Sequence, residues 1–309
     1  MCMARKYFTD EHDEIRRQLR RFVNEEIKPI GDQCERERIV PKSLFRKMGD
    51  LGFLGIGLPE QYGGTGEDIF GWMILGEEMG RCTYAGLGGV FTVHTVMAVP
   101  HLANAGNEAQ LAKYMPDLIS GETVCAIAIS EEQAASDVGA MKTSARFENG
   151  EWVLNGSKFW ISNGINADVY FVAARTDSNG KGANGISMFI VEKGTPGFRI
   201  GQKIEKMGFR ASDTAELLFE DCRIPAENLL GPEGKGFYSV MKNFQNERLV
   251  LAAVNVGEAI AALSLTLDYV TQRKTFGLPL IDRQVIRQRL AMLHAKWRRA
   301  GSCSTTPPT

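Results

Sequence analysis

Between Val124 and Glu220 the chain strings together six apolar runs of period two with no helical stretch between them, and this succession limits the fold more than any other feature. The runs are Val124 to Ser130, Lys142 to Phe147, Glu151 to Ile161, Val169 to Arg175, Ile186 to Val191 and Ala215 to Glu220. Parallel neighbours need crossover helices, so strands in direct succession predict an antiparallel barrel or sandwich and not a parallel nucleotide-binding sheet. Asn149-Gly150 supplies the positive φ of a tight hairpin between the second and third runs.

On either side the period returns to about four. Ile15, Leu19, Phe22, Val23 and Ile27 share a helix face, with Thr9 or Asp10 placed to cap it. Pro41, Leu44, Phe45, Met48 and Leu51 form a second helical stretch that Gly52 stops, and Glu67 to Gly80 and Ala85 to Ala105 read as buried helices. After Gly231-Pro232-Glu233-Gly234 helix resumes from Phe237 through Val270, with a break expected near Asn246, and again from Ile281 to Lys296. The pattern predicts an α+β multidomain chain. A helical domain spans 1–122, an antiparallel β-barrel domain 123–232 and a helical bundle 233–309.

The apolar period fails at Trp297, and Pro307-Pro308 cannot lie inside a helix. Residues 297–309 are expected to leave the helix, as an aberrant or frameshifted tail or as a natural disordered end. Sequencing the gene separates the two.

With 44% hydrophobic residues in 309 the chain can bury a large core, and a formal net charge of −1 gives no field for nucleic acid or an anionic membrane. The six cysteines include no C-x-x-C pair and the four histidines lack metal-ligand spacing, so free thiols and no metal are expected. The first residues carry charge where a signal peptide is apolar, and later apolar runs are interrupted by Gly, polar or charged residues. A cytoplasmic protein without membrane insertion is expected.

Several separated motifs carry more. Pro59-Glu60-Gln61-Tyr62-Gly63-Gly64, Ser130-Glu131-Glu132 with Ser136-Asp137-Val138, and Asn155-Gly156-Ser157-Lys158-Phe159-Trp160-Ile161-Ser162 follow one another in that order. Lys206 to Thr214, Ile224 to Gly231 and Arg273-Lys274-Thr275-Phe276-Gly277 complete the series. Together they resemble the acyl-CoA dehydrogenases, from about Phe8 to Lys296. One departure stands out. The family's Thr-Glu-Pro-x-x-Gly-Ser-Asp reads here with Glu132 for the proline and Ala135 for the glycine.

The resemblance implies FAD as cofactor and assigns it Ile127, Ile129, Ser130, Ser136, Trp160, Ile161 and Ser162 around the flavin. Arg273, Thr275, Phe276, Arg283 and Gln284 would hold the pyrophosphate and adenosine, commonly across a subunit interface, where a guanidinium can grip phosphate in bidentate fashion. Taken alone, Ser162 is an ordinary strand-end serine and Trp160 plain core.

For the base, Asn246-Glu247-Arg248-Leu249 resembles the glutamate-bearing helix of the isovaleryl-CoA and long-chain branches. Glu247 shares a face with Val250, Leu251 and Val254, so desolvation should raise its pKa toward a value suited to a carbon-bound proton. Ser136, Asn246 and Arg248 are the expected substrate contacts, and His94 and His101 are expected to be packing residues.

The implied activity is α,β-dehydrogenation of an acyl-CoA to the trans-2-enoyl-CoA, with electrons passed to an electron-transfer flavoprotein and a homotetramer or homodimer as the assembly. Two alternatives share the pattern. One is an acyl-CoA oxidase on the same scaffold. The other is an inactive fragment, because the family's closing helices would make the C-terminal bundle incomplete here.

Overall fold

The computed structural model describes residues 8–66, 68–177 and 182–304. Helix α1 (Asp10–Phe22) opens on Thr9, whose hydroxyl accepts the His12 N–H while His12 Nδ1 accepts the Thr9 N–H in return. It is followed by α2 (Gly31–Glu37), α3 (Lys42–Asp50), α4 (Ile69–Gly80), α5 (Ala85–Thr92), α6 (Val99–Ala105) and α7 (Glu108–Ser120). Glu67, the expected first residue of α4, lies outside the described residues; Asp68 is the cap and accepts the Phe70 N–H.

Helix α4 is apolar around its whole circumference because it runs through the interior, with Trp72, Met73, Ile74, Leu75 and Met79 all buried. Its one interior charge, Glu78, is fully buried and taken by Arg20 of α1 (2.6 and 3.0 Å) and Arg16 (3.2 Å).

The strands are β1 (Cys125–Ala128), β2 (Ser144–Glu148), β3 (Glu151–Ser162), β4 (Val169–Arg175), β5 (Ile186–Glu192), β6 (Phe198–Lys203), β7 (Thr214–Pro225) and β8 (Leu229–Leu230). They form one eight-stranded sheet in the order β6-β7-β3-β2-β4-β5-β8, with β1 on β4. The β1 and β4 pairing is parallel, a correction to the all-antiparallel expectation. The long loop 129–143 carries the chain away from β1 before β2 begins, so β1 meets a strand that is not its neighbour in sequence.

Alternation along the strands builds two cores. Tyr170, Val172 and Ala174 of β4 join Ala126, Ala128, Leu154, Phe189, Leu217 and Ile224 in a cluster that draws on the β domain alone. A sheet whose strands pack one face into the same cluster curls around it. The alternate residues Val169, Phe171 and Ala173 face the other way, into the core shared with the helices.

Helix α8 (Gly236–Gln272) crosses the molecule unbroken, so the break expected near Asn246 is absent. The stretch contains no proline, and the side chains of Asn243 and Asn246 do not interrupt its backbone ladder. Short strands β9 (Lys274–Thr275) and β10 (Leu278–Pro279) turn the chain into α9 (Gln284–Ser304). The helix therefore continues past Lys296, against the expectation that Trp297 ends it. Trp297 to Ser304 holds no proline, and one glycine costs a helix only about 1 kcal/mol. Pro307 and Pro308 lie outside the described residues.

Two helical stretches, Ala85–Ala105 and Gly236–Gln272, are long and apolar enough to cross a membrane by length and composition alone, though both carry the glycine and polar interruptions noted in the sequence. The first is 78% buried within the protein. The second presents one side to α9 across an apolar groove lined by Leu249, Ala252, Val256, Leu290 and Leu293.

Helices α4 and α8 touch at backbone distance through glycines. A Cβ on Gly80 would meet the Val254 carbonyl oxygen at 2.1 Å, and one on Gly257 would meet that of Glu77 at 2.0 Å. Gly257→Ala is therefore expected to lower stability by about 1–3 kcal/mol, read as a lower denaturant midpoint at unchanged slope.

Candidate active site

One wall comes from the barrel domain. Pleating sends Ala126 and Ala128 of β1 into the barrel, so Ile127 and Ile129 point toward the helices. The loop after β1 is held from beneath by a buried ion pair. Lys158 Nζ, with no exposure, donates to Glu131 Oε1 at 2.8 Å and to the Ile129 carbonyl at 3.0 Å. The Glu131 carboxylate also accepts the N–H groups of Lys142 (2.7 Å) and Thr143 (2.9 Å) and the Gln133 amide (2.9 Å).

Burial raises the Glu131 carboxyl, but the Lys158 charge and these donors outweigh it and hold it below its usual value. Burial lowers the Lys158 ammonium to about 8. The pair is charged at neutral pH, because the carboxylate's donors support its ionised form.

The departure at Ala135 is accommodated locally. Ala135 is not among the residues with positive φ, and Glu131 and Ala134 close the turn with two backbone hydrogen bonds of 3.1 Å. The methyl of Ala135 therefore strains nothing and lies at the cleft described below.

Strand β3 carries the second part of the wall. The Phe159 N–H donates to the Ser130 carbonyl at 2.9 Å, joining strand and loop. The register of β3 against β7 then slips between Lys158 and Ile161, and Trp160 at the slip has φ 57°. A bulge re-aims a side chain, and this one turns the indole out to 47% exposure. An L-residue in this region costs of order 1–3 kcal/mol, which points to binding and not to packing.

Ile161 goes the other way. Its side chain is in the barrel core, so only its main chain is left for a cofactor. Ser162 ends the strand, and the next residue anchors it: Asn163 donates to the Val90 carbonyl of α5 at 3.0 Å. Asp213 clamps the following turn by accepting the Ile165 and Asn166 N–H groups at 2.7 and 3.2 Å.

The opposite wall is α8. Glu247 is partly buried, and burial raises its carboxyl to about 7, against smaller opposing effects of the Asn243 amide and the Arg248 charge. Asn243 donates to Glu247 Oε1 at 2.7 Å. The same amide reaches the Val96 and Met97 carbonyls, both at 3.2 Å, in a wide-turn π-helical segment (Val93–Ala98) between α5 and α6.

Ser162 and Glu247 are thus tied to one continuous helical rod through Val90 and Val96, positions on the order of 9 Å apart along it. A cleft of about 380 Å³ completes the arrangement, with Ser136 and Asp137 on one side and Phe237, Met241, Phe244 and Arg248 on the other. Asn246 is half-buried on the same helix.

Arg273, Thr275, Phe276, Arg283 and Gln284 lie elsewhere. Arg273 stands twenty-six residues beyond Glu247 at the end of the same helix, about 39 Å away at the helical rise. Its turn is built locally: Arg283 donates to the Thr275 carbonyl at 2.6 Å and sits over the Phe276 ring at 5.8 Å. Phe276 is 98% exposed with φ 51°, and Arg273 and Gln284 are exposed too. This group shares no site with Glu247 within one chain.

His94 and His101 are buried and neutral, pushed down to about 4 by burial, and His94 is spent on the Leu118 carbonyl and the Cys125 N–H. Cys34, Cys82, Cys125 and Cys222 are free and buried, and Cys2 lies outside the described residues. Sequence reasoning missed Glu131 with Lys158, and Asn243. The first had a signal, two charged residues inside apolar runs; the second had none, since its partners are 146 and 147 residues away.

Comparison with known proteins agrees with this architecture. Residues 9–122, 126–222 and 234–304 match the N-terminal, middle and C-terminal domains of acyl-CoA dehydrogenase. The chain is 40% identical over 290 residues to the mitochondrial long-chain specific acyl-CoA dehydrogenase of Sus scrofa, covering 94% of this chain and 67% of that one. It is 40% identical over 291 residues to the mitochondrial isovaleryl-CoA dehydrogenase of Pongo abelii, covering 93% and 69%. The crystal structure of acyl-CoA dehydrogenase from Geobacillus kaustophilus superimposes with a TM-score of 0.91 at 38% identity, over 97% of this chain and 78% of that one. The chain belongs to the acyl-CoA dehydrogenase family, whose members are FAD-dependent oxidoreductases.

The residues fit that cofactor. An indole turned outward at a strained bulge, on the strand that is bonded to the partly exposed Ser130 and ends at the partly exposed Ser162, offers an aromatic face and hydroxyl donors.

Proposed function

We propose that this chain oxidises an acyl-CoA at Cα and Cβ to the trans-2-enoyl-CoA, with Glu247 as the base. The observation that carries the reading is a glutamate raised to about 7 by burial, on the helix that also lines the Ser136 cleft. A base poised near working pH is ionised often enough to act and basic enough to take a carbon-bound proton.

FAD, when bound, supplies the two-electron acceptor for the hydrogen that leaves Cβ. Trp160 would cover the flavin and exclude water, and Ser130 and Ser162 would donate to its polar edge. Glu247 removes the α-proton as the double bond forms. Ser136, Asn246 and Arg248 hold the thioester and the carrier chain, and Phe237, Met241 and Phe244 give the cleft an apolar side. The placement of Glu247 on α8 favours a mid-to-long or branched acyl group, and an electron-transfer flavoprotein is the proposed electron acceptor.

The distance of about 39 Å between Glu247 and Arg273 supports a homo-oligomer. A second copy would bring Arg273, Thr275, Phe276, Arg283 and Gln284 to the pyrophosphate and adenosine, and the bare, strained Phe276 suits a surface made for another molecule.

The test is anaerobic mixing of the FAD-loaded protein with isovaleryl-CoA and with a straight-chain series. Loss of the oxidised flavin spectrum, with enoyl-CoA formed in equal amount, is the expected result. A flavin that stays oxidised with every acyl-CoA rejects the reading, and peroxide released in air in proportion to substrate would make the enzyme an oxidase.

A further inference from the structure

We propose that Asn243 is a positioning residue for Glu247: its amide holds one carboxylate oxygen so that the other is presented to the substrate. The inference rests on Glu247 as base and adds the group that aims it.

The sequence of the π-helical segment creates the anchor. Pro100 has no N–H, so the Val96 carbonyl four residues earlier lacks its ordinary helical donor. In the wide turn that results, the Val99 N–H bonds the His94 carbonyl five residues back. A buried carbonyl left without a donor costs free energy unless a side chain supplies one. Asn243, only 2% exposed, reaches in from α8 and donates to the Val96 and Met97 carbonyls.

Those two carbonyls fix which end of the amide faces them. Were it flipped, its oxygen would confront both carbonyls and the Glu247 carboxylate, three acceptors and no donor. The NH2 group therefore faces all three, and its 2.7 Å bond is to Glu247 Oε1. Oδ1 of Asn243 points into the interior without a partner. Glu247 Oε2 accepts no hydrogen bond among the described residues, which leaves it as the oxygen available to a Cα proton.

Helix α8 alone does not fix this carboxylate, because a glutamate has three rotatable bonds. The link to the Val96 and Met97 carbonyls makes the pose depend on the segment that, through Val90 and Asn163, also holds Ser162. Base and strand end are therefore referenced to the same rod.

Few other charges bear on Glu247. Arg248 is its neighbour on α8, and Asp137 faces Arg248 across the cleft. His101 of α6 and His94 of the π-helical segment are buried and neutral. Glu77 and Glu78 of α4 are paired with Arg16 and Arg20, and the Glu77 backbone meets α8 at Gly257. Lys296 of α9 lines the groove beside Leu249. Among the described residues Asn243 is the one group bonded to the carboxylate, so its removal acts on the base directly.

The experiment compares wild type, Asn243→Leu and Glu247→Gln, each loaded with FAD, by kcat/KM against pH. A donor to a carboxylate stabilises the ionised form, so its loss raises the pKa. In Asn243→Leu the acid limb should move up by about one pH unit, with roughly tenfold lower kcat/KM below it. An acid limb that stays at the wild-type position, while Glu247→Gln is inactive, overturns the positioning role and leaves the base standing. Near-normal turnover in Glu247→Gln overturns both.

Should Asn243→Leu fail to fold, Asn243→Ser leaves room for a water on the two carbonyls and carries the same test. Stability against pH is a readout that needs no turnover. Asn243→Leu with and without Glu247→Gln should go on diverging to a higher pH, and to a larger final difference, than wild type and Glu247→Gln do, because the unfolded chain sets the same onset for both pairs; the same end point for both pairs overturns the proposal.

Discussion

Glu247→Gln is expected to fold, retain FAD and lose turnover by about 10²–10⁴-fold, the usual contribution of a positioned general base. Glutamine keeps the shape and can still accept from Asn243, but it cannot take a proton. Wild-type kcat/KM should rise with pH through about 7, where Glu247 ionises, and that limb should vanish from the variant's residual rate.

The same shift has the opposite effect on stability. Glu247 is raised from a model-peptide value of 4.5 to about 7, so the folded state binds its proton more tightly than the unfolded chain does. The stability this gives is full below 4.5 and is lost as pH rises through 7. Glu247→Gln should therefore gain stability relative to wild type at pH above 7 and none at low pH, measured by denaturant unfolding at both. A variant with unchanged kcat would reject Glu247 as the base.

The second large effect is structural. Lys158→Met leaves the Glu131 carboxylate almost fully buried with no cation beside it, and the Ile129 carbonyl without the ammonium. Breaking one side of a buried pair costs about 3–5 kcal/mol. The loop from Ile129 to Ser136 loses the post that supports it, so flavin content should fall along with the denaturation midpoint. A methionine variant with wild-type stability and full flavin content would show that the pair supports nothing.

How far the chain could be read in advance depended on how local each cause was. Strand β4 is placed to the residue because Val169 to Ala174 is an unbroken apolar and aromatic run, closed by Arg175 and bounded by polar turns. Strand β6 was missed because Phe198 and Ile200 are its only large apolar side chains and a glycine follows them, a pattern too short for a period. The unbroken α8 departs from the break expected near Asn246, because a mid-helix asparagine looks like an interrupter from sequence alone. Asn243 instead spends its amide on another helix, a fact held in a distant carbonyl pair.

Within the site, the raised carboxyl of Glu247 was legible from the apolar neighbours at three, four and seven residues, since burial is set by helix period. The outward turn of Trp160 was not, because it depends on a register slip against β7 that no alternation in β3 announces. Likewise, the separation of Arg273 from Glu247 became plain only once α8 proved continuous. A broken helix could have folded the cationic turn back onto the flavin wall.

The most direct test of the central claim follows the α-hydrogen itself. An acyl-CoA deuterated at Cα, incubated with FAD-loaded protein in the absence of an electron acceptor, should lose deuterium to solvent with the wild type, and at a far lower rate with Glu247→Gln. Equal deuterium loss from both proteins would show that some other group takes the proton, and would contradict the account.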